Sequence, residues 1–242
     1  MHKPKPILLM TRPEAAAQRF LANLGGAWAC ETILSPLIGI DYVPEKPSLD
    51  GVRGLIFTSA HGVAALGNTA DGPPLPAYVV GQNTAQAARD SGWDVRQVYQ
   101  NADALVRALI ATLPPAPLLH IRGVYARGDV AARLSDAGIR TIDAILYDQP
   151  EIPLSKAARD ALVGEIPVIA PVFSPRTAAL LAKNRIKAPL LVAAMSEAVA
   201  KPLLSLHITE LKIAVRPESA EMTRLVTDLL KSASAWDYGP GH

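Results

Sequence analysis

Leu55-Ile56-Phe57-Thr58-Ser59-Ala60-His61-Gly62-Val63 carries a strand-length apolar run straight into a hydroxyl pair and then into residues of helical habit. A short apolar run followed by Ser at a helix start reads as a βα unit. Similar runs recur, so strands are expected near 7–11, 54–57, 77–80, 95–98, 117–121, 140–144, 167–171, 189–193 and 210–215. Ala-rich stretches between them predict helices near 13–24, 60–67, 83–91, 102–112, 126–137, 155–163, 175–184, 196–204 and 218–231. This alternation predicts an α/β fold of parallel sheets covered by helices on both faces.

The 242 residues exceed the size of one ordinary domain, roughly 100 to 200 residues, so two domains are expected. Two stretches break the rhythm: 35–47, with three prolines around Ile38-Gly39-Ile40-Asp41-Tyr42-Val43, and 142–153, with Tyr147-Asp148-Gln149-Pro150. Both read as extended linkers able to run side by side, which makes the middle of the chain an inserted domain. The expected division is 1–36 plus 152–242 as a discontinuous domain, 44–144 as the insert, and 37–43 and 145–151 as linkers. Internal similarity supports two copies of one fold. Leu55-Ile56-Phe57-Thr58-Ser59 resembles Pro171-Val172-Phe173-Ser174-Pro175 at an offset of 116, Val80–Ala85 parallels Val192–Glu197 at 112, and Leu8–Arg12 parallels Leu118–Arg122 at 110.

Half the residues are hydrophobic and 19% are charged, enough apolar surface for packed cores. The formal charge of +2 has no basic tract or stripe, which disfavours nucleic-acid binding. No apolar run approaches the roughly 20 residues of a membrane span, and the N-terminus shows no signal-peptide pattern, so a cytoplasmic setting is expected. The single cysteine, Cys30, reads as a small buried hydrophobe. The tail from Ser232 to His242 is expected to be disordered.

Ligands of an open parallel sheet bind beyond the carboxyl ends of its strands, where helix N-termini also point. Thr11-Arg12-Pro13-Glu14 has capping-box spacing, and Ser174-Pro175 places Ser at an N-cap with Pro at the first helical position. Ser59, Thr84 and Ser196 stand at comparable junctions. Such termini offer unpaired N–H groups to anions, and each of these residues also has the plain role of capping its helix. Arg12, Arg122, Arg127, Arg176 and Arg216 fall at or just past strand ends, with Arg12 and Arg122 the foremost candidates to meet carboxylates. The five histidines show no metal-ligand spacing, so no metal site is expected, and no Gly-rich phosphate loop or nucleophile elbow occurs, so no cofactor is expected. His61 occupies a possible proton-transfer position. Tyr147, in the second linker, is placed to hydrogen-bond a leaving oxygen or to serve as an interface aromatic.

Thr58-Ser59-Ala60-His61-Gly62-Val63 after an apolar strand, Val80-Gly81-Gln82-Asn83-Thr84-Ala85 before a helix, Phe173-Ser174-Pro175, the Arg122-Gly123 turn and Tyr147 together resemble the scattered signatures of the uroporphyrinogen-III synthase family. The resemblance runs from Arg12-Pro13 to the last helix. It implies two flavodoxin-like domains joined by a two-strand linker, the second inserted into the first, with a cofactor-free cleft between them. It also implies a linear hydroxymethylbilane substrate, closed to a macrocycle with loss of water and inversion of the last ring, the activity of a hydro-lyase. Transferred residue by residue, Tyr147 assists loss of the hydroxyl. The substrate is held by Arg12, Ser59, Ala60, Gly81, Gln82, Thr84, Arg122, Gly123, Ser174, Pro175, Met195 and Ser196. A monomer is expected. The other reading open to the sequence is a two-lobed, non-catalytic binding protein for a small anion; a two-domain glycosyltransferase would want a nucleotide-binding carboxylate in the C-terminal half, and none stands out.

Overall fold

The computed structural model describes residues 5–25, 30–68, 74–126 and 128–235. The chain divides into two compact units, Met1–Gly39 with Glu151–His242, and Ile40–Pro150. Each is built on a parallel sheet with helices on both faces, so the second unit is inserted into the first.

The first unit contains strands β1 (Ile7–Met10), β2 (Glu31–Leu34), β9 (Val168–Val172), β10 (Leu190–Ala194) and β11 (Glu210–Ile213) in the spatial order β11-β10-β9-β1-β2, every neighbouring pair parallel. Side chains alternate along a strand, and β1 shows the result: Ile7 and Leu9 enter one core layer, Leu8 and Met10 the other. The first layer is closed by α6 (Lys156–Val163), α7 (Pro175–Ala182) and α8 (Glu197–Ala200), the second by α1 (Glu14–Leu24) and α9 (Ser219–Ala235). Burial on both faces is why these strands read as unbroken apolar runs.

The second unit contains β3 (Asp41–Tyr42), β4 (Gly54–Phe57), β5 (Pro76–Val80), β6 (Asp94–Tyr99), β7 (Leu118–Gly123) and β8 (Thr141–Asp148), ordered β3-β8-β7-β4-β5-β6. Only β3 is antiparallel, with Asp41 opposite Asp148 and Tyr42 opposite Tyr147. Helices α2 (Ala60–Leu66) and α3 (Gln82–Asp90) cover one face, where Trp93 packs and its indole N–H donates to the Gly67 carbonyl at 3.0 Å. Helices α4 (Ala102–Thr112) and α5 (Val130–Asp136) cover the other.

The two sheets share one spatial plan. Setting β4, β5 and β6 against β9, β10 and β11, and β7 and β8 against β1 and β2, superimposes their strand orders. In chain order this is a tandem repeat, β1-β2-β4-β5-β6 followed by β7-β8-β9-β10-β11, whose last three strands have been exchanged between units. The near-constant sequence offsets follow the same correspondence, carrying β1 to β7, β4 to β9 and β5 to β10.

Several local expectations change. Glu31–Leu34 is a strand that the sequence pattern did not reveal, because an edge position leaves its residues half or fully exposed. Strand β8 runs on to Asp148 and pairs there with β3, so the two linkers do lie side by side, while Tyr147 also joins the sheet opposite Gly123 of β7. Helix α1 is capped at Pro13, two residues past Thr11, which is itself buried, so no capping box forms. Ser232–Ala235 continue α9, held by the fully buried Ala233; the rest of the expected tail lies outside the described residues. Among the described residues no helix is long and apolar enough to cross a membrane.

Leu9 is fully buried on β1, an interior strand of the first sheet between β9 and β2. Leu9→Ala is expected to lower unfolding free energy by about 2–5 kcal/mol in denaturant titration; a loss well under about 1 kcal/mol would deny β1 its place inside the sheet.

Candidate functional site

Where neighbouring parallel strands send their connections in opposite directions, a crevice opens at the carboxyl edge of the sheet. In the inserted unit this point lies between β4, which leads outward to β5, and β7, which leads the other way to β8. A cavity of about 370 Å³ sits there, lined by Thr58 and Ser59 after β4, Val80 at the end of β5, Arg122 of β7 and Tyr147 of β8. The Ser59 hydroxyl caps α2 by accepting from the His61 N–H at 3.2 Å. Ala60 is the first residue of α2; Gly81, at φ +83°, turns the chain into α3, and Gln82 is exposed on its first turn. A larger depression of about 750 Å³ lies along the β8 edge beside the loop 43–52 and contains none of the expected site residues.

The corresponding crevice of the other unit lies between β1 and β9. Arg12 follows β1, and its guanidinium lies 4.0 Å from the centroid of the Phe173 ring, which is itself edge-on to Phe20 at 5.2 Å. The Arg12 Nε is buried and has no hydrogen-bond partner among the described residues. Burial, and secondarily the charge of Arg19, pushes the Arg12 pKa below its ordinary value. A cation–π contact offsets part of the desolvation cost, while the Nε donor stays without a partner among the described residues. Ser174 caps α7, accepting from the Thr177 N–H at 3.1 Å, with Pro175 at the first helical position. Ser196 precedes the four-residue α8 without a side-chain capping bond, and Met195 packs against both core layers.

The family model for uroporphyrinogen-III synthase HemD matches residues 21–224. The chain belongs to the uroporphyrinogen-III synthase family. A solved uroporphyrinogen-III synthetase from Helicobacter pylori shares the fold over 94% of this chain and 100% of its own, with TM-score 0.67 and 18% identity. A mutant uroporphyrinogen III synthase from Thermus thermophilus does so over 95% and 98%, with TM-score 0.52 and 13% identity. No curated protein sequence matches the chain. The uroporphyrinogen-III synthase family is one of tetrapyrrole biosynthesis, and these likenesses support the two flavodoxin-like sheets.

Within that family fold, several of the expected side chains already have partners inside the protein. The Arg122 Nε pairs with Asp143 at 2.9 Å, while one of its terminal nitrogens donates to the Gly123 and Val124 carbonyls at 3.0 and 3.3 Å. These bonds engage Nε and one terminal nitrogen of Arg122 and stiffen the turn after β7, while the side chain still lines the crevice. Thr84 is the third residue of α3 and is buried, so it packs and does not face solvent from the helix start. Tyr147 is 5% exposed, its ring flanked by Tyr42 and His61 with centroids 6.5 and 5.9 Å away. His61 shares a 3.2 Å hydrogen bond with the Tyr42 hydroxyl. Arg216 is exposed, 3.9 Å from Glu218, and Arg127 lies outside the described residues. Among the described residues no group of three or more His, Cys, Asp or Glu is placed to hold a metal.

One polar cluster escaped the sequence reading. His120, 2% exposed on β7, meets Asp143 through Nδ1 at 2.9 Å and Thr58 through Nε2 at 3.2 Å. Register explains it: His120 lies opposite Ile56 on β4 and Asp143 on β8, so all three project on the α4–α5 face. Burial lowers the His120 pKa below its ordinary value, against the opposing pull of Asp143.

A Cβ on Gly123 would stand 2.5 Å from the Tyr147 ring; Gly123→Ala is expected to displace that ring and to lower unfolding free energy by about 1–3 kcal/mol in denaturant melts. With the folded-state pKa of His120 depressed, the unfolded chain binds its proton first as pH falls. The stability held by neutral His120 is thus intact above pH about 6.5 and declines below it until the folded-state pKa is passed. His120→Gln should flatten that part of the stability–pH curve; an unchanged slope would exclude His120 as its source.

Proposed function

We propose that the chain is a uroporphyrinogen-III synthase, a hydro-lyase that closes linear hydroxymethylbilane to uroporphyrinogen III. The observation that carries this reading is the family match across most of the chain, and the donor-rich switch-point edges are suited to a substrate bearing a carboxylate on every side chain. In the proposed reaction the pyrrole nitrogen lone pair expels the terminal hydroxyl. The C–O bond breaks and the hydroxyl takes up one proton to leave as water. The azafulvene cation is attacked by the last ring, forming a C–C bond, and rearrangement through a spiro intermediate inverts that ring. Loss of one proton restores its aromaticity, so the net change is loss of one water.

Chemistry of this kind depends chiefly on holding the reacting ends together. Tyr147 is proposed to assist departure of the hydroxyl. Arg12, with its unpaired buried Nε, is proposed to receive a substrate carboxylate, as are the backbone N–H groups that open α2, α3 and α7 behind Ser59-Ala60, Gly81-Gln82 and Ser174-Pro175. Ser196 and Met195 border the equivalent edge at β10. The reading includes a monomer that needs no cofactor and works in the cytoplasm, with the two units acting as its two domains.

The test is conversion of hydroxymethylbilane by the purified chain, with products resolved by isomer. Enzymatic closure gives type III, whereas unassisted closure gives type I; type I alone would favour the non-catalytic binding protein instead. Arg12→Ala is expected to raise KM about tenfold or more, the loss of one charge-assisted hydrogen bond. Tyr147→Phe is expected to reduce kcat, and unchanged turnover would remove Tyr147 from the mechanism.

A further inference from the structure

Thr58 is held by the buried cluster and also lines the 370 Å³ crevice. Its hydrogen-bonding polarity follows from its neighbours. Asp143 accepts from the Arg122 Nε at 2.9 Å and stands 2.9 Å from the His120 Nδ1. An ionised carboxylate only accepts, so the Nδ1 carries the proton. Neutral imidazole, the form that burial favours, then has a bare lone pair on Nε2, and the hydrogen that meets it at 3.2 Å is that of the Thr58 hydroxyl. Thr58 therefore donates inward, and a group that reaches its hydroxyl from the crevice it lines meets an oxygen lone pair. The helix starts around it offer the opposite polarity, N–H donors suited to carboxylates.

We propose that Thr58 is a substrate-contacting residue that accepts a hydrogen bond from a pyrrole N–H, and that His120 and Asp143 are positioning residues that fix its hydroxyl in the accepting orientation. This rests on the reading of the chain as a uroporphyrinogen-III synthase. An acceptor at this point distinguishes the ring edge of the substrate from its carboxylates. It also strengthens its bond as the hydroxyl departs, because the azafulvene cation makes the ring N–H a better donor. An interaction that tightens in the transition state acts on kcat more than on KM.

Among the described residues, the charged groups facing His120 are Asp143 on β8, Arg122 on its own strand and Asp129 at the start of α5, which share with it a pocket of about 250 Å³. Protonation of His120 would put a hydrogen on Nε2 and force the Thr58 hydroxyl to turn outward as a donor. Activity assigned to the accepting form should therefore fall as His120 becomes charged.

The experiment has two arms on the full chain. In imidazole ¹⁵N NMR, His120 is expected to show a protonated Nδ1 and a bare Nε2 at neutral pH, and Asp143→Asn is expected to move the proton to Nε2. In the ring-closure assay, Thr58→Val should lower kcat about ten- to a hundredfold with a much smaller change in KM. Thr58→Ser should restore most of the loss, and Asp143→Asn should lower kcat in the same sense. A protonated Nε2 in the unaltered protein overturns the assignment of polarity, and wild-type kcat in Thr58→Val overturns the substrate contact. Failure of the unaltered chain to form the type III isomer would sink the functional reading and the substrate contact with it; the tautomer would still decide whether His120 and Asp143 orient Thr58.

Discussion

Both sheets are buried on both faces, and that constraint decides where polar chemistry is possible. A parallel strand flanked by helices satisfies its backbone donors and acceptors with its neighbours and leaves only apolar side chains to pack above and below. Leu8, Leu9 and Met10, or Leu55, Ile56 and Phe57, have no access to solvent. Free N–H groups and side-chain heads first occur where the strands end, and the reversal of strand order opens a crevice there. Arg12 beside Phe173 in one unit and Thr58 beside Arg122 in the other border equivalent crevices of the shared strand plan.

His120 is the exception that the constraint makes informative. A histidine inside such a layer is tolerated when both ring nitrogens are bonded. Asp143 and Thr58 meet that demand, and Arg122 balances the carboxylate. The cluster links the interior of the α4–α5 layer to the floor of the crevice, so a demand of packing also sets the direction of a crevice hydroxyl.

Much of this was legible in the sequence because burial on two faces leaves unbroken apolar runs and hydroxyl residues mark helix starts. Ser59 and Ser174 were readable as caps for that reason. Edge strand 31–34 was not, since half-exposed residues lose the signature of a buried run. The role of Arg122 was hidden because its partner, Asp143, is brought beside it by strand pairing across an intervening helix. Thr84 shows a limit of reading junctions by residue type: a helix that begins two residues before it turns a cap into a core residue. The cluster around His120 depends on register among three strands, which no local pattern encodes.

The exchange of strands between the repeats bears on how the molecule is made. Every strand of the inserted sheet comes from one continuous stretch, from Asp41 to Asp148, so that sheet has all its parts well before the chain is complete. The other sheet must pair Ile7 with Val168, a closure across most of the sequence, and β1 and β2 have no β9 to join until late in synthesis. Non-local pairing of this kind is slow and leaves apolar edges waiting. During that interval the first two strands have the edge of the insert's own sheet as a competing partner, built on the same plan. The correct partition of two halves built alike, more than the stability of either sheet, is then what folding has to secure.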